Sequence, residues 1–138
     1  MRHVLAALAL TACLASSISR QSAGSSQVTQ GELDHLLDRW QSRLGLSAWT
    51  IQARLVPPNS LDSEEDGHVT VADITYDHDD LTAAIRIEQA SHEEIEESLL
   101  HELVHLQFEA WNPPADPVEE ERTVETIALS LLKSWTAE

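Results

Sequence analysis

One segment of the sequence carries two histidines and a glutamate at a spacing that suits a metal centre. His101 and His105 are four residues apart, so on an α-helix they lie one above the other on the same face. Their imidazoles can therefore reach a single metal ion. Glu102 lies about 100° further round the helix, where it can face a metal-bound water without ligating the metal itself. Zinc lowers the pKa of such a water to about 7, and a carboxylate can then take its proton.

The residues around this motif are apolar, and this context bears on the simplest alternative interpretation. They are Leu99, Leu100, Leu103, Val104 and Leu106. A helix this apolar is predicted to be largely buried, and polar groups buried without partners are costly. The two histidines and the acid therefore need partners inside the protein. A metal ion would satisfy them, and the alternative is a pair of hydrogen-bonded core histidines beside a surface glutamate.

The third protein ligand of a catalytic zinc ion must come from another element, because such a site keeps three ligands and one open position. Four glutamates stand near the start of the next predicted helix: Glu119, Glu120, Glu121 and Glu125. Glu120 and Glu121 lie on the two edges of its apolar stripe, and the other two lie further round. We choose Glu121 as the third ligand, with Glu120 and Glu125 as alternatives, and Glu125 is also a candidate for orienting a ligand histidine. The competing interpretation is a solvated first turn that complements the helix dipole.

The first half of the predicted domain contains one helix followed by three strands. Thr29 and Glu32 fit a capping box, leucines follow at helical spacing, and Gly45 supplies a stop. Segments of β-forming residues with alternating polarity then predict strands over residues 49–56, 68–76 and 81–88. The last two strands are close enough to form a hairpin, with its turn over residues 77–80.

The second half of the domain predicts two helices. A capping box at Ser91 and Glu94 starts a helix over residues 92–110 that carries the two histidines. Asp116 and Pro117 start a third helix after a proline-rich break. The expected fold is α+β in the order α-β-β-β-α-α, with a small three-stranded sheet packed on the histidine-bearing helix. Three large side chains are predicted to lie in the core: Trp40, Trp49 and Trp135.

Residues 99–106 (LLHELVHL) and 120–128 (EERTVETIA) resemble the metal-binding segments of the zincin metallopeptidases. The likeness is to the gluzincin arrangement, in which HExxH on one helix is followed by a Glu ligand on the next. The order of helices and strands also resembles the minimal zincin core. The resemblance implies a peptidase with one zinc ion, whose site residues would be the ligands His101, His105 and Glu121 and the general base Glu102.

The same resemblance implies where a substrate would bind. In that family the last strand is an edge of the sheet above the active-site cleft, and an extended peptide adds to it. The hairpin around residues 83–87 would then border the substrate groove. Tyr76 and His78 are candidates for a group that acts on the tetrahedral intermediate, against the alternative of a structural or turn role.

The N-terminal residues have the pattern of an export signal followed by a linker. An apolar run over residues 4–10 is too short to span a bilayer and is typical of a signal-peptide core. The only cysteine, Cys13, ends the run Leu-Thr-Ala-Cys, which resembles the bacterial lipobox. This implies that residues 1–12 are removed and that Cys13 carries a lipid anchor. Residues 13–28 are predicted to be a flexible tether to a domain over residues 29–138. The alternatives are a secretory signal cleaved a few residues after Cys13, and no export.

The composition excludes several classes of protein. The chain has 138 residues, and its 8 Lys and Arg against 24 Asp and Glu give a formal net charge of −16. Nucleic-acid binding is excluded, because phosphate contacts need clustered cations. Disorder of the whole chain is excluded by a hydrophobic fraction of 42% with clear periodicity. An acidic surface of this kind is expected to attract basic substrates and repel acidic ones.

The sequence therefore predicts an exported, zinc-dependent peptidase that acts on a peptide or protein substrate, anchored in a bacterial cell envelope through Cys13. The alternative is a metal-binding or interaction lipoprotein on the same fold that cleaves nothing. Glu102 favours the peptidase, since a pure binding protein has no need of an acid at that position. A zinc hydrolase of small molecules is a further alternative, against which a peptide-length groove would argue.

Overall fold

The computed structural model of the chain describes residues 27–61, 70–109 and 116–135. Within these ranges the chain forms three helices and three strands, so the fold is α+β, as predicted. Their order and bounds are α1 (Gln30–Arg43), β1 (Thr50–Val56), β2 (Ala72–Asp77), β3 (Thr82–Glu88), α2 (His92–Glu109) and α3 (Pro117–Trp135). None of these helices is both long and apolar enough to cross a membrane. The predicted signal peptide, residues 1–12, and Cys13 lie outside the described residues.

Helix α1 begins at the predicted capping box. The Thr29 backbone N–H donates to Glu32 Oε2 at 2.7 Å, and the Glu32 backbone N–H donates to Thr29 Oγ1 at 3.3 Å. The helix ends before Gly45, whose φ of +69° strains any residue with a Cβ atom. Val28, placed at the end of the predicted tether, is buried, and its carbonyl accepts a hydrogen bond from the Gln89 side chain. Packing of the domain therefore begins just before the predicted boundary.

Both later helices also begin at predicted caps. The Ser91 backbone N–H donates to Glu94 Oε2 at 3.0 Å, and the Glu94 backbone N–H donates back to Ser91 Oγ at 3.4 Å. At the start of α3, the Val118 backbone N–H donates to Asp116 Oδ1 at 2.9 Å. Pro117 is the first helical residue there, a position where its missing N–H removes no helical hydrogen bond.

The three described strands form one sheet in the order β1-β3-β2, with β1 parallel and β2 antiparallel to β3. The predicted hairpin is confirmed, since Asp77 pairs with Thr82 next to its turn. The expectation that the last strand is an edge is wrong, because β3 is central and the edges are β1 and β2. A tight turn makes β2 and β3 neighbours, whereas the long connection after β1 allows that strand to pair on either side of the hairpin.

Strand β2 is shorter at its start than predicted. The sequence pattern placed its first residue at His68, but pairing begins at Ala72. The Glu88 backbone N–H donates to the Val71 carbonyl at 2.9 Å, next to the end of the ladder. Strand β3 ends at Glu88 and the chain turns into α2, so this strand offers no partner to residues before Val71. Residues 62–69, including His68, lie outside the described part of the chain.

One face of the sheet packs on the helices through residues that alternate along each strand. The buried ones are Ala53, Ala72, Ile74, Ala83, Ile85 and Ile87. Helix α2 contacts β2, β3, α1 and α3, so it is the central element of the domain. Its buried apolar residues cover about half of the helix circumference: Ile95, Leu99, Leu100, Leu103, Val104 and Leu106. The remaining side is also buried, at His101, Glu102 and His105. The polar residues in the middle of α2 are thereby placed in an interior where they need partners.

Helix α3 packs along α2 through Val124 and Ala128, which are fully buried. The prediction that Trp135 is a core residue is wrong, because its exposed fraction is 39%. The Arg43 guanidinium lies over its ring, with Cζ 4.0 Å from the ring centroid. This indole is thus contacted by a cation and by the Trp40 ring, both from α1. Trp40 is in the core, as predicted, with an exposed fraction of 1%.

Candidate metal centre

Three side chains from two helices converge on one point between α2 and α3. Nε2 of His101 and Nε2 of His105 are 3.1 Å apart. Oε2 of Glu121 lies 3.4 Å from the first of these nitrogens, and Oε1 of Glu121 lies 3.1 Å from the second. Ligand atoms at zinc bond lengths in a tetrahedral site are separated by about 3.3–3.5 Å. This group could therefore hold a metal ion with little movement of its side chains.

Two buried carboxylate oxygens, one of them in this group, lack hydrogen-bond partners among the described residues, and a cation would suit them. Glu121 Oε1 and Glu102 Oε2 are buried and accept no hydrogen bond within the described part of the chain. His101 and His105 each have an exposed fraction of 4%, and that of Glu102 is 1%. Buried carboxylate oxygens without partners are costly, and a bound cation removes that cost. The donor set of two imidazoles and one carboxylate is one that zinc accepts.

A second carboxylate sets which nitrogen of His105 faces the centre. Glu120 Oε1 lies 3.2 Å from Nδ1 of His105. A carboxylate accepts hydrogen bonds, so we assign the proton of the neutral imidazole to Nδ1, which donates to Glu120. Nε2 then presents its lone pair to His101 and Glu121. Contacts of this kind fix the orientation of a ligand histidine and raise its basicity.

The four glutamates of α3 separate as the apolar stripe of the helix indicated. Glu121 joins the two histidines, and Glu120 is half-buried against His105. Glu119 and Glu125 are exposed. Glu120, rather than Glu125, therefore contacts one of the two histidines, because Glu125 lies more than a full turn further along α3. The sequence contained a signal for Glu120, its place on the edge of the stripe, but did not show which histidine it would meet.

Close packing of acids and histidines shifts the pKa values at the centre. Burial raises the pKa of Glu121, but its close contacts with His101 and His105 outweigh this effect and hold the value at about 2. Burial raises the pKa of Glu102 to about 8, an effect that His105 opposes and Glu121 reinforces. Burial also lowers the pKa of His105, yet its acidic neighbours, with Glu121 first, leave it raised. The raised pKa values of Glu102 and His105 mean that both groups tend to keep their protons. A bound cation would instead balance the negative charge of the acids.

The two residues proposed to act on a reaction intermediate lie in an aromatic cluster at the turn end of the hairpin. The Trp49 ring packs edge-on against Tyr76, with centroids 6.4 Å apart, and against His78, at 5.7 Å. Such contacts have the geometry that aromatic pairs favour. Neither Tyr76 nor His78 belongs to the metal-binding group found among the described residues. Their catalytic role stays a prediction.

Comparison with known proteins adds no further constraint on this centre. The chain matches no protein-family model, no curated protein and no solved structure. Its interpretation rests on the residues, their spacing and their contacts. A fold alone would not have decided the function, since function is argued from the site.

Proposed function

We propose that the protein is a zinc-dependent peptidase with a zincin-like domain, whose single zinc ion is bound by His101, His105 and Glu121. The observation that carries the proposal is the contact of the two histidine Nε2 atoms with each other and with the Glu121 carboxylate, at 3.1–3.4 Å, together with the buried acid Glu102. Among the described residues the metal-binding group has three members. A structural zinc site is closed by four protein ligands, whereas a catalytic one keeps a position open, so a set of three ligands favours catalysis.

Glu102 is the proposed general base. Bound zinc would supply Lewis acidity, which lowers the pKa of a coordinated water and polarises a substrate carbonyl. Glu102 would accept the proton of the attacking water and deliver it to the leaving amine. Its Oε2 atom is buried without a hydrogen-bond partner among the described residues, so it is available for this exchange. A carboxylate whose pKa is near the working pH is suited to both halves of the transfer.

Strand β2 is the proposed binding edge for an extended peptide, in place of the hairpin's other strand. The hydrogen bond from Glu88 to Val71 fixes the ladder pattern, so the backbone N–H and C=O groups of Ala72 and Ile74 turn away from β3. Helix α2, which carries the proposed ligands, packs against β2 and β3. A peptide added to this edge would therefore run beside the HExxH helix.

The opposite edge of the sheet is partly capped. The Gln30 side chain donates from Nε2 to the Ala53 carbonyl at 2.8 Å and accepts at Oε1 from the Leu55 backbone N–H at 3.1 Å. Gln30 thus occupies backbone groups of β1 that an added strand would need. On the β2 edge, no described side chain makes hydrogen bonds to the outward-facing backbone groups of Ala72 and Ile74.

Burial of the centre favours a second candidate, a metal-binding lipoprotein that does not cleave peptides. His101, Glu102 and His105 have exposed fractions of 4%, 1% and 4%, and the Glu121 side chain, at 25%, is the most accessible member of the group. A closed centre of this kind suits metal retention. The buried Oε2 of Glu102, which accepts no hydrogen bond from the described residues, argues for catalysis, because a retention site gains nothing from a buried acid that ligates nothing.

We also propose that the protein is exported and anchored through a lipid on Cys13. This rests on the lipobox-like run in the sequence and on residues outside the described ranges. Expression in a bacterial host with a labelled fatty acid tests it. The label should enter the wild-type protein and be absent from Cys13→Ser, and equal labelling of both would contradict the anchor.

Cleavage of a peptide library separates the peptidase from the binding protein. The wild-type protein loaded with zinc should cleave library members, and Glu102→Gln should bind the same amount of zinc and lose at least about a hundredfold in rate, the usual size of a general-base contribution. Zinc binding without cleavage in the wild type, or equal cleavage by Glu102→Gln, would reject the proposed mechanism. Inclusion of small ester and amide substrates would reveal a hydrolase of small molecules.

A further inference from the structure

One cluster outside the metal centre joins all three helices. The Arg43 guanidinium lies over two indoles, with Cζ 4.0 Å from the centroid of Trp135 and 5.3 Å from that of Trp40. The two indoles also contact each other edge-on, with centroids 6.2 Å apart. Trp40 Nε1 donates to Glu96 Oε1 at 2.8 Å, which connects the cluster to α2. We name Trp40, Arg43 and Trp135 the Trp–Arg–Trp cluster.

Helix α3 packs along α2, and its fully buried residues, Val124 and Ala128, lie in its middle. Ile127, Leu131 and Leu132 are partly buried against the core. Its first turn is exposed at Pro117, Val118 and Glu119. The Trp–Arg–Trp cluster therefore attaches the C-terminal end of α3 to α1, while the other end bears Glu120 and Glu121.

The position of Glu121 depends on how α3 lies against α2. His101 and His105 belong to one helix, so their relative position is set by helix geometry, but Glu121 enters from a second helix. Trp135 is about 21 Å from Glu121 along the helix axis. If α3 tilts about its buried middle, a displacement at Trp135 produces about half that displacement, in the opposite direction, at Glu121. Zinc–ligand distances vary by only about 0.2 Å in well-formed sites, so a small tilt is enough to weaken the third ligand.

We propose that Trp135, through its contact with Arg43 and Trp40, is a distal positioning residue that holds Glu121 at the distance from His101 and His105 that metal binding requires. The inference rests on the proposed metal centre. It assigns to an exposed residue, remote from the site, a function that its location alone does not suggest.

Zinc affinity measured by competition with a chelator tests this in the full chain. Trp135→Ala should weaken zinc binding about fivefold, and Arg43→Gln should weaken it less. Trp135→Phe should recover most of the affinity, since a ring is restored. Val118→Ala, which truncates another exposed apolar residue of α3, and Arg54→Gln, an exposed arginine on β1, are matched controls that should leave affinity unchanged.

A double-mutant cycle distinguishes positioning from a general loss of structure. If Trp135 acts by placing Glu121, then Trp135→Ala should have no effect on zinc affinity in a Glu121→Ala background. An equal weakening in both backgrounds would overturn the proposal, as would unchanged affinity in Trp135→Ala. If Trp135→Ala fails to fold, as judged by circular dichroism, the cycle is run with Arg43→Gln. A wild-type protein that binds no zinc would reject the metal centre and this inference together, whereas tight wild-type binding that Trp135 does not affect would reject this inference alone.

Discussion

At the scale of single residues, Glu120 is the side chain that supports His105, a proposed metal ligand, without joining the metal-binding group. Its contact with His105 Nδ1 at 3.2 Å orients the ring and directs Nε2 towards Glu121. Removal of such a partner lowers metal affinity about 10- to 100-fold. We expect a loss of this size for Glu120→Ala and a smaller one for Glu120→Gln, whose amide oxygen still accepts from Nδ1. Glu125→Ala, on the exposed side of α3, is the control, and a zinc affinity that Glu120→Ala leaves intact would contradict this role.

Proton release on metal binding is a second expectation at this scale. The pKa of His105 is raised above its ordinary value of 6.5 by acidic neighbours, with Glu121 first among them, despite the opposing effect of burial. A raised pKa in the folded state means that protonated His105 stabilises the metal-free protein below pH 6.5. That stability is lost as the pH rises through the shifted value. Zinc must displace this proton, so apparent affinity should fall as the solution is acidified.

Calorimetric titration in buffers of different ionisation enthalpy measures the protons released. Release should be larger near neutral pH than about two pH units higher, where His105 is already neutral. The same titration of Glu120→Gln is the comparison, since loss of that carboxylate brings the pKa of His105 down. A release that does not change with pH would contradict the account of His105.

The residue scale also shows what a sequence can predict of a metal centre. The spacing of His101 and His105 fixes their geometry once a helix is assumed, and the apolar stripe of α3 separates Glu120 and Glu121 from Glu119 and Glu125. The choice between Glu120 and Glu121 depends on how two helices lie together. No periodicity within either helix contains that information, because it arises from packing between them.

At the scale of elements, Gln30 connects the first turn of α1 to the edge of β1. Its side chain makes two hydrogen bonds to the β1 backbone, at 2.8 Å and 3.1 Å. Each such bond contributes about 0.5–1.5 kcal/mol to stability. Gln30→Ala should therefore lower the free energy of unfolding by about 1–2 kcal/mol in urea titrations. Gln52→Ala, an exposed glutamine on β1, is the control. Equal unfolding midpoints for the two variants would show that the cap contributes nothing.

Patterns among residues close in the chain predicted the helices, the strands and the hairpin. They did not predict which strands that are far apart in the chain would pair. The capping boxes at Thr29 and Ser91 and the β2–β3 hairpin depend on residues close in the chain, and all three are present. The central position of β3 depends on which side of the hairpin β1 pairs, a choice that a long connection leaves open. The core prediction for Trp135 is wrong for a similar reason, since its surroundings, Arg43 and Trp40, come from another helix.

At the scale of the whole molecule, the formal net charge of −16 is the dominant feature. An acidic surface raises the local concentration of cationic ligands, and salt screens the effect over about 10 Å at 0.1 M ionic strength. If the protein is a peptidase, basic peptides should be cleaved about tenfold faster than acidic peptides of matched length at low salt. The difference should shrink as salt is added. Initial rates on paired peptides measure it, and equal rates at low salt would contradict this expectation.

Zinc content per chain, by elemental analysis, tests the central claim most directly. The samples are a soluble form of the chain that begins near residue 22 and its Glu120→Ala, Glu121→Ala and Glu125→Ala variants, each reconstituted with zinc and dialysed. The parent and Glu125→Ala should hold about one zinc ion per chain, Glu120→Ala should hold less, and Glu121→Ala should lose most of it. No zinc in the parent after reconstitution, or full zinc in Glu121→Ala, would contradict the proposed metal centre.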